Sequence, residues 1–592
     1  MKPIYKIAAL AAMAIASASC DDLFEPAFEP SKDINSIVDF PSYADAILYD
    51  AYILMPYGNS VTTDFATDDA VCNDNSNDYL KIATGAWTSN NGTLSFWKNG
   101  RGAIQYLNLL LSKVEEVNFS DNERLNQALC YRLTGEAHGL RALFMYHLLR
   151  QHGGWAEGEL LGVPNLLEPE DATSDFNQPR ATFKACMEQI YADVAAAAEL
   201  LPIDFKNVNN EADMPSKYRE IGLTIDEYNR ALGGNFSGRM SGRIARTIAA
   251  QAALLAASPA FSAGSGVEWA EAADKAAEVL DLKGGIAGIY DKGHVWYTPD
   301  EIKKIGSGVT GEEIIWRDNV SANNDREKEY FPPSLRGTGR VNPTQNLVDA
   351  FPMANGYPIT EDLGNYDANN PYANRDPRLA AYIVTDGSTW GHNNSVITTG
   401  TYGTNNDAIN AEQGHSTRTG YYLRKLLRPD CNADPSVNTT QDHVTTRIRY
   451  TEIYLDFAEA ANEAWGPTDA RKGYSAYDVI KKIRQRAGIG VDGNDPYLES
   501  IKNNKDEMRK LIRNERRIEL CFEGARFWDL RRWKEDLNNT ARGMQISKNG
   551  GALKYEVINV ESRSYSDYMN YGPIPYGEIV KFNNLVQNDG WK

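Results

Sequence analysis

The side chains of this 592-residue chain that could do chemistry are its seven histidines, 80 acidic residues and eleven tryptophans. The histidines offer no metal spacing. No HExxH occurs, and His138, His147 and His152, in one helical neighbourhood, have offsets that do not converge on one ion. Neither a GxSxG elbow nor a Walker A loop is present. Carboxylates are so numerous that sequence proximity cannot mark a glycosidase pair. Asp64, Asp68, Asp69, Asp74 and Asp78 form an acidic run with Asn73, Asn75 and Asn77. It does not match the ligand spacing of a helix–loop–helix calcium site, though it leaves room for a loop-bound calcium. No other metal and no cofactor is implied, and catalysis is not supported. The aromatics are more telling. They make up 10% of the chain, with 32 tyrosines, and many stand in loops rich in Asn, Gly, Thr and Asp. Trp87 lies beside Thr88, Ser89 and Asn90; Trp390 lies beside Ser388, Gly391 and Asn393.

Cys20 has a different chemistry. Lys2 and Lys6 precede an alanine-rich apolar run, Ile7–Ala18, which is the length of a signal-peptide core and too short to span a bilayer. Ser17, Ala18 and Ser19 then lead into Cys20. The pattern resembles the lipobox of bacterial lipoproteins, with Ser17 where Leu is usual. It implies that residues 1–19 are a signal peptide and that Cys20 becomes the acylated first residue, with two or three chains giving a stable anchor. Cys72, Cys130, Cys186, Cys431 and Cys521 are far apart and lack CxxC spacing, so neither a disulfide framework nor a zinc site is indicated. A net charge of −19 disfavours binding to nucleic acid.

Helical periodicity recurs along the chain. Arg101–Val117, Gly135–Arg150, Phe183–Leu201, Arg243–Ser258 and Trp269–Leu280 each place apolar residues on one face. Three pairs suggest degenerate tetratricopeptide-like units: Ala103–Val117 with Gly135–Arg150, Phe183–Leu201 with Arg243–Ser258, and Tyr450–Ala464 with Tyr474–Ala487. From Leu282 to Thr440, Gly, Pro, Asn and aromatic residues rise and helix signals thin, except around Asn342–Phe351. Short strands are expected at Glu313–Arg317 and Tyr421–Leu426. The expected fold is mainly α: a tetratricopeptide-like helical scaffold carrying a loop-rich, minor-β layer. Residues 20–281 supply its helical part, and residues 282–592 supply the loop-rich layer and C-terminal part of one compact unit. Such loops are the usual seat of binding.

The most specific stretch runs from Ile512 to Trp533, IRNERRIELCFEGARFWDLRRW. Met508, Leu511, Ile512, Ile518 and Phe522 would line one helix face. Glu515, Glu519 and Glu523 alternate with Arg516 and Arg517 at spacings that allow i,i+4 pairs, and Gly524 ends or bends the helix. This stretch closely resembles the C-terminal signature of the SusD/RagB family of outer-membrane nutrient-binding lipoproteins. Other segments follow in the family's order: GEAHGLRA from Gly135, NPTQNLVDAFPMANGYPI from Asn342, RDPRL from Arg375, YTEIYLDFAEAANE from Tyr450, IKKIRQRAG from Ile480, and PIPYGEI and QNDGW near the end. Glu519, Arg526, Asp529 and Trp533 are expected to hold the fold by buried pairing rather than to touch ligand.

The resemblance implies a non-catalytic, lipid-anchored protein on the outer face of the outer membrane. It would capture oligosaccharide and deliver it to a SusC-like TonB-dependent transporter. Asp21 and Asp22 resemble the acidic export tag of such lipoproteins. A sugar ring offers an apolar C–H face to Trp or Tyr and a hydroxyl rim to polar side chains. The first candidates are Asp64 and Asp68 as acceptors, Trp87 as platform and Asn90 beside it. The second group is Trp296, Trp316, Arg317, Tyr330 and Trp390. Capture of peptides or other nutrients by the same fold, and a surface-associated glycoside hydrolase, remain the alternatives.

Overall fold

The computed structural model describes residues 36–57, 63–306 and 309–592. The leader, Cys20 and the Asp21–Asp22 pair lie outside the described residues. Among them, no helix is long and apolar enough to cross a membrane.

The helical part is built around Glu123–His152, a thirty-residue helix. Asn122 caps it by accepting from the backbone N–H groups of Arg124 and Leu125. The sequence suggests one apolar face, but every residue from Gly139 to Leu149 is buried. The reason is that helices Trp97–Lys113, Phe183–Leu200, Ile225–Leu232 and Gly242–Ala257 surround it. Gly139 makes room for Met240, which leads into the last of these: a Cβ there would lie 2.5 Å from Met240 Cγ. Phe183–Leu200 is capped by Thr182 and stops before Pro202. Gly242–Ala257 packs an alanine-rich surface on Trp269–Asp281, which in turn meets Tyr450–Trp465.

The layer after Leu282 is held by short antiparallel pairs. Ile314–Arg317 pairs with Thr446–Arg449, Ala70–Cys72 with Val341–Pro343, and Ile383–Val384 with Tyr422–Leu423. Both expected strands are present, the second shortened to two residues. The longest hairpin, Ala541–Asn549 with Ala552–Glu561, turns through Gly550 and Gly551, both at positive φ as a tight two-residue turn requires. The layer encloses its own apolar core, with Phe351, Tyr382, Tyr421 and Ile546 among its members.

The signature helix runs from Lys505 to Glu519 and stops short of Phe522, which adopts a left-handed conformation at φ 60°. Its charges do not form the i,i+4 pairs that their spacing allows. Arg516 reaches Asp456 and Asp529, and Arg517 reaches Asp68 and Asp69. Glu515 bonds Arg378 and Arg484, at 2.8 and 2.7 Å. Glu519 receives Arg378 at 3.0 Å and Arg486 at 3.1 Å, with Arg449 at 3.8 Å. The physical cause is burial. A charge out of water needs a close counter-charge, and only other segments of the fold bring one to these faces. As expected, Glu519, Arg526, Asp529 and Trp533 work inside the fold; Arg532 joins Asp529 to Glu459, which also accepts from Trp533 Nε1 at 2.6 Å.

Candidate functional site

The sequence-derived binding residues do not assemble. Trp87 is 4% exposed, set edge-to-face against Trp591 at 4.8 Å with the Arg531 guanidinium 5.4 Å from its ring. Its polar sequence neighbours misled because an irregular loop sends successive side chains in different directions. Thr88 and Asn90 are exposed while Trp87 and Ser89 turn inward. Trp87 borders a void of only about 10 Å³, room for roughly one water. Asn90 sits on the surface, its backbone N–H directed at Thr88 Oγ1.

Trp316 is sealed, donating from Nε1 to the Gly238 carbonyl at 2.7 Å. Arg317 is buried and clamps a loop through the carbonyls of Gly306, Val309 and Asp318, each at 2.8 Å. Tyr330 is buried in the core of the loop layer. Trp296 is buried too, edge-on to Tyr297, though it touches a separate cavity of about 410 Å³ with Tyr290 and Lys304. Trp390 is half-buried, its ring covered by Arg424 at 4.4 Å. It packs against the loop-layer core, whereas Trp87 belongs to a small cluster with Phe527 and Met569.

Asp68 is fixed by Arg517 at 2.9 Å and Arg526 at 3.0 Å. Burial works to raise its pKa, but the two guanidiniums overcome that and hold it well below the usual carboxylate range. Asp64 is fully buried and no side chain among the described residues bonds its carboxyl oxygens. Burial first, and Asp69 second, push its pKa up to about 8, so it is an uncharged acid at neutral pH. The folded chain therefore binds a proton that the unfolded chain releases near pH 3.8, and this contribution to stability declines as pH rises from there towards 8. Asp64→Asn is expected to gain thermal stability relative to the parent between pH 5 and pH 8. Melting curves at both values check this; a difference unchanged with pH would contradict it.

A cleft of about 460 Å³ opens where the helical part meets the loop layer. That volume is in the ordinary range of small-ligand sites. Tyr57, Tyr79, Phe96, Tyr146 and Trp528 contribute rings; Arg150, Arg447, Arg449, Glu452 and Glu523 contribute charges; His147, Gln151, Gln251, Thr63, Thr93 and Thr446 contribute other polar groups. The end of the central helix places His147 and Arg150. The short helix Arg526–Trp533 places Trp528, and strand Thr446–Arg449 places Arg447. Arg150 lies 4.3 Å over the Trp528 ring, a cation–π contact that joins an apolar face to a fan of donors. It has no carboxylate partner among the described residues. Arg150 also donates to His147 Nδ1 at 3.0 Å, which places the imidazole proton on Nε2. Burial, then the Arg150 charge, push the pKa of His147 well below its ordinary value, so the ring is neutral.

The walls are incompletely satisfied. His147 Nε2, Arg150 Nε, Gln151 Oε1, Gln251 Oε1, Thr446 Oγ1 and Arg447 Nε have no partner among the described residues. These atoms lie behind the cleft surface, and similar groups occur elsewhere in the fold, so the accessible rings and the Arg150 guanidinium are what the cleft offers a ligand. Other lining charges are committed. Arg449 bonds Glu523 at 2.6 Å and Glu313 at 2.8 Å, while Glu452 accepts from Gln251 at 2.7 Å. Trp316 underlies this wall, covered by Tyr57 and by Arg447 at 4.9 Å. No sequence signal joins Tyr57, Arg150, Arg447 and Trp528; only the fold does.

Comparison with known proteins places this architecture. Residues 306–591 match the model of the SusD family, and residues 28–217 match a second model described as starch-binding and associating with the outer membrane. SusD-like protein P38 of Formosa agariphila is 22% identical over 440 residues, covering 73% of this chain and 71% of that protein. A SusD-like protein from Bacteroides fragilis superposes with a TM-score of 0.71 at 22% identity, over 96% of this chain and 100% of the other. A SusD-like carbohydrate binding protein from the same species gives a TM-score of 0.66 at 19% identity, over 93% and 99%. The fold is thus the mainly α SusD fold expected from the sequence, and the chain belongs to the SusD/RagB family of carbohydrate-binding, outer-membrane-associated proteins.

Proposed function

We propose that this protein is a non-catalytic, cell-surface lipoprotein that captures oligosaccharide in the cleft between its two parts and passes it to a SusC-like TonB-dependent transporter. The observation that carries the reading is the cleft itself: a ligand-sized space lined by half-buried Tyr57 and Trp528, with Arg150, which has no carboxylate partner among the described residues, over the Trp528 ring. A sugar needs that combination, an apolar face for its C–H surface and convergent polar groups for its hydroxyls. The Cys20 motif supports a lipid anchor, and the second family model's association with the outer membrane agrees with it. Partner docking has a surface to use. Tyr49 and Ile53, one turn apart on the helix Pro41–Ile53, are 63% and 64% exposed.

Affinity electrophoresis through a polysaccharide panel tests the ligand class. Retardation by at least one neutral or acidic glycan is expected; uniform mobility through all of them, with saturable binding of peptides, would move the reading to peptide capture. Products appearing when pure protein is incubated with oligosaccharide would overturn the non-catalytic assignment. Mild detergent extraction should recover the transporter with the protein, and consistent elution alone would remove the partner from the proposal.

A further inference from the structure

A second cluster of chemically capable side chains lies in the loop layer. Glu327 comes from the helix Asp325–Tyr330, Cys431 from a loop, and His443 from the end of strand Gln441–His443, which pairs with Ser321–Asn323. All three are buried, Glu327 and Cys431 completely, and one ligand atom from each lies within 4.8 Å of the others.

Hydrogen bonding around the imidazole is one proton short of simple. His443 Nδ1 is 2.9 Å from the Gln441 carbonyl oxygen, and Nε2 is 3.0 Å from Glu327 Oε1. A carbonyl can only accept, so Nδ1 carries the ring proton. Nε2 then turns a lone pair towards a carboxylate oxygen unless a second proton or a cation stands between them. Glu327 Oε1 also accepts the Arg428 backbone N–H at 2.8 Å, and the Cys431 thiol lies against the same carboxylate. The nearby guanidiniums are turned elsewhere: Arg428 pairs with Asp430 at 2.7 Å, and Arg326 donates to Thr445 at 3.1 Å.

We propose that Glu327, Cys431 and His443 bind a zinc-class divalent cation that fastens the loop before His443 onto the helix Asp325–Tyr330. Thiolate, imidazole and carboxylate are the donor set that a borderline-soft ion takes, and an imidazole held by a backbone carbonyl at its other nitrogen is the usual supporting arrangement. Charge balances as well. A divalent ion with one thiolate and one carboxylate sums to zero, which a buried site tolerates. On binding, the Cys431 S–H bond breaks, its proton leaves to solvent, and a sulfur–metal bond forms, with no change of oxidation state. A fourth position is left to water or to the Asn323 carbonyl, 3.7 Å from Cys431 Sγ. The role is structural and independent of what the cleft binds. Glu327 lies far up the chain from Cys431 and His443, so the three together show no zinc spacing in the sequence.

The test uses the full chain stripped by chelator dialysis, titrated with zinc against a chromophoric chelator and separately with cobalt(II). One zinc per chain is expected, with a thiolate-to-cobalt charge-transfer absorption and a rise in the thermal midpoint on adding zinc. Cys431→Ser and His443→Gln should each bind zinc at least tenfold more weakly and lose the zinc-dependent rise; the cobalt band should vanish in C431S. Having two variants on different elements guards against one that misfolds. No thiolate–cobalt absorption in the parent protein, or equal zinc affinity in the parent and either folded variant, would overturn the proposal.

Discussion

Replacing Glu519 by alanine is expected to remove about 3–5 kcal/mol of stability, the usual result of taking one partner from a buried ion network. Its carboxylate stands among Arg378, Arg486 and Arg449 and is fully buried. Arg378 would retain Asp376 and Glu515, and Arg449 would retain Glu313 and Glu523. Arg486 would be left with Glu313 at 3.8 Å, the Thr451 hydroxyl and the Tyr290 carbonyl at 3.2 Å. Glu519→Gln should lose nearly as much, since charge rather than volume is what these guanidiniums need. Burial alone would raise the Glu519 pKa, yet Arg486, Arg378 and Arg449 bring it well below the usual carboxylate range. Its contribution is therefore fully present at neutral pH and declines progressively as pH falls below the ordinary glutamate value of 4.5 towards that depressed one. Glu507→Ala, which breaks an exposed pair with Lys510, is the contrast and should cost less than about 0.5 kcal/mol. Urea unfolding at pH 7 measures all three; a loss under about 1 kcal/mol for E519A would show that the network is not the brace described here.

The second large effect separates the cleft from the residues that sequence alone favoured. Trp528→Ala should weaken oligosaccharide binding by about ten- to a hundredfold, roughly 1.4–2.8 kcal/mol, by removing the ring on which Arg150 rests. Arg150→Gln should lose affinity in the same direction while keeping the ring. Trp87→Ala should do the opposite. It empties a packed position against Trp591 and Phe527, so about 3–5 kcal/mol of stability is expected to go while the folded fraction binds normally. Calorimetric titration, with a melting curve for each variant, distinguishes these outcomes. Unchanged affinity in W528A with lost affinity in a well-folded W87A would return the site to the N-terminal loop.

Much of the helical frame is legible from residues because its signal is local. Phe183–Leu200 and Trp269–Asp281 match their apolar periodicity to within one residue, and Thr182 and Pro202 mark the limits of the first. Tyr450–Trp465 extends one residue past its expected end. The hairpin Ala541–Glu561 has a local cue as well, alternation around Gly550-Gly551. The ion network is different in kind. Spacing suggests pairs of Arg516 and Arg517 with glutamates of their own stretch, whereas the acids they meet lie on other segments, as in Arg517 to Asp68, across nearly the whole chain. The binding site suffers from the same cause. A tryptophan among polar residues is equally compatible with a ring turned out and a ring turned in, and Arg531 and Arg424 supply the covers that keep Trp87 and Trp390 inward or half-hidden. Tyr57, Arg150 and Trp528 carry no motif in common, so their convergence could be seen only after folding.

The most direct measurement is a crystal structure of the protein with a glycan selected from the electrophoresis panel. The account predicts a sugar ring in the cleft, in contact with Trp528 and Tyr57, with hydroxyls bonded to Arg150. A well-ordered glycan bound elsewhere, with the cleft holding only water, would contradict it.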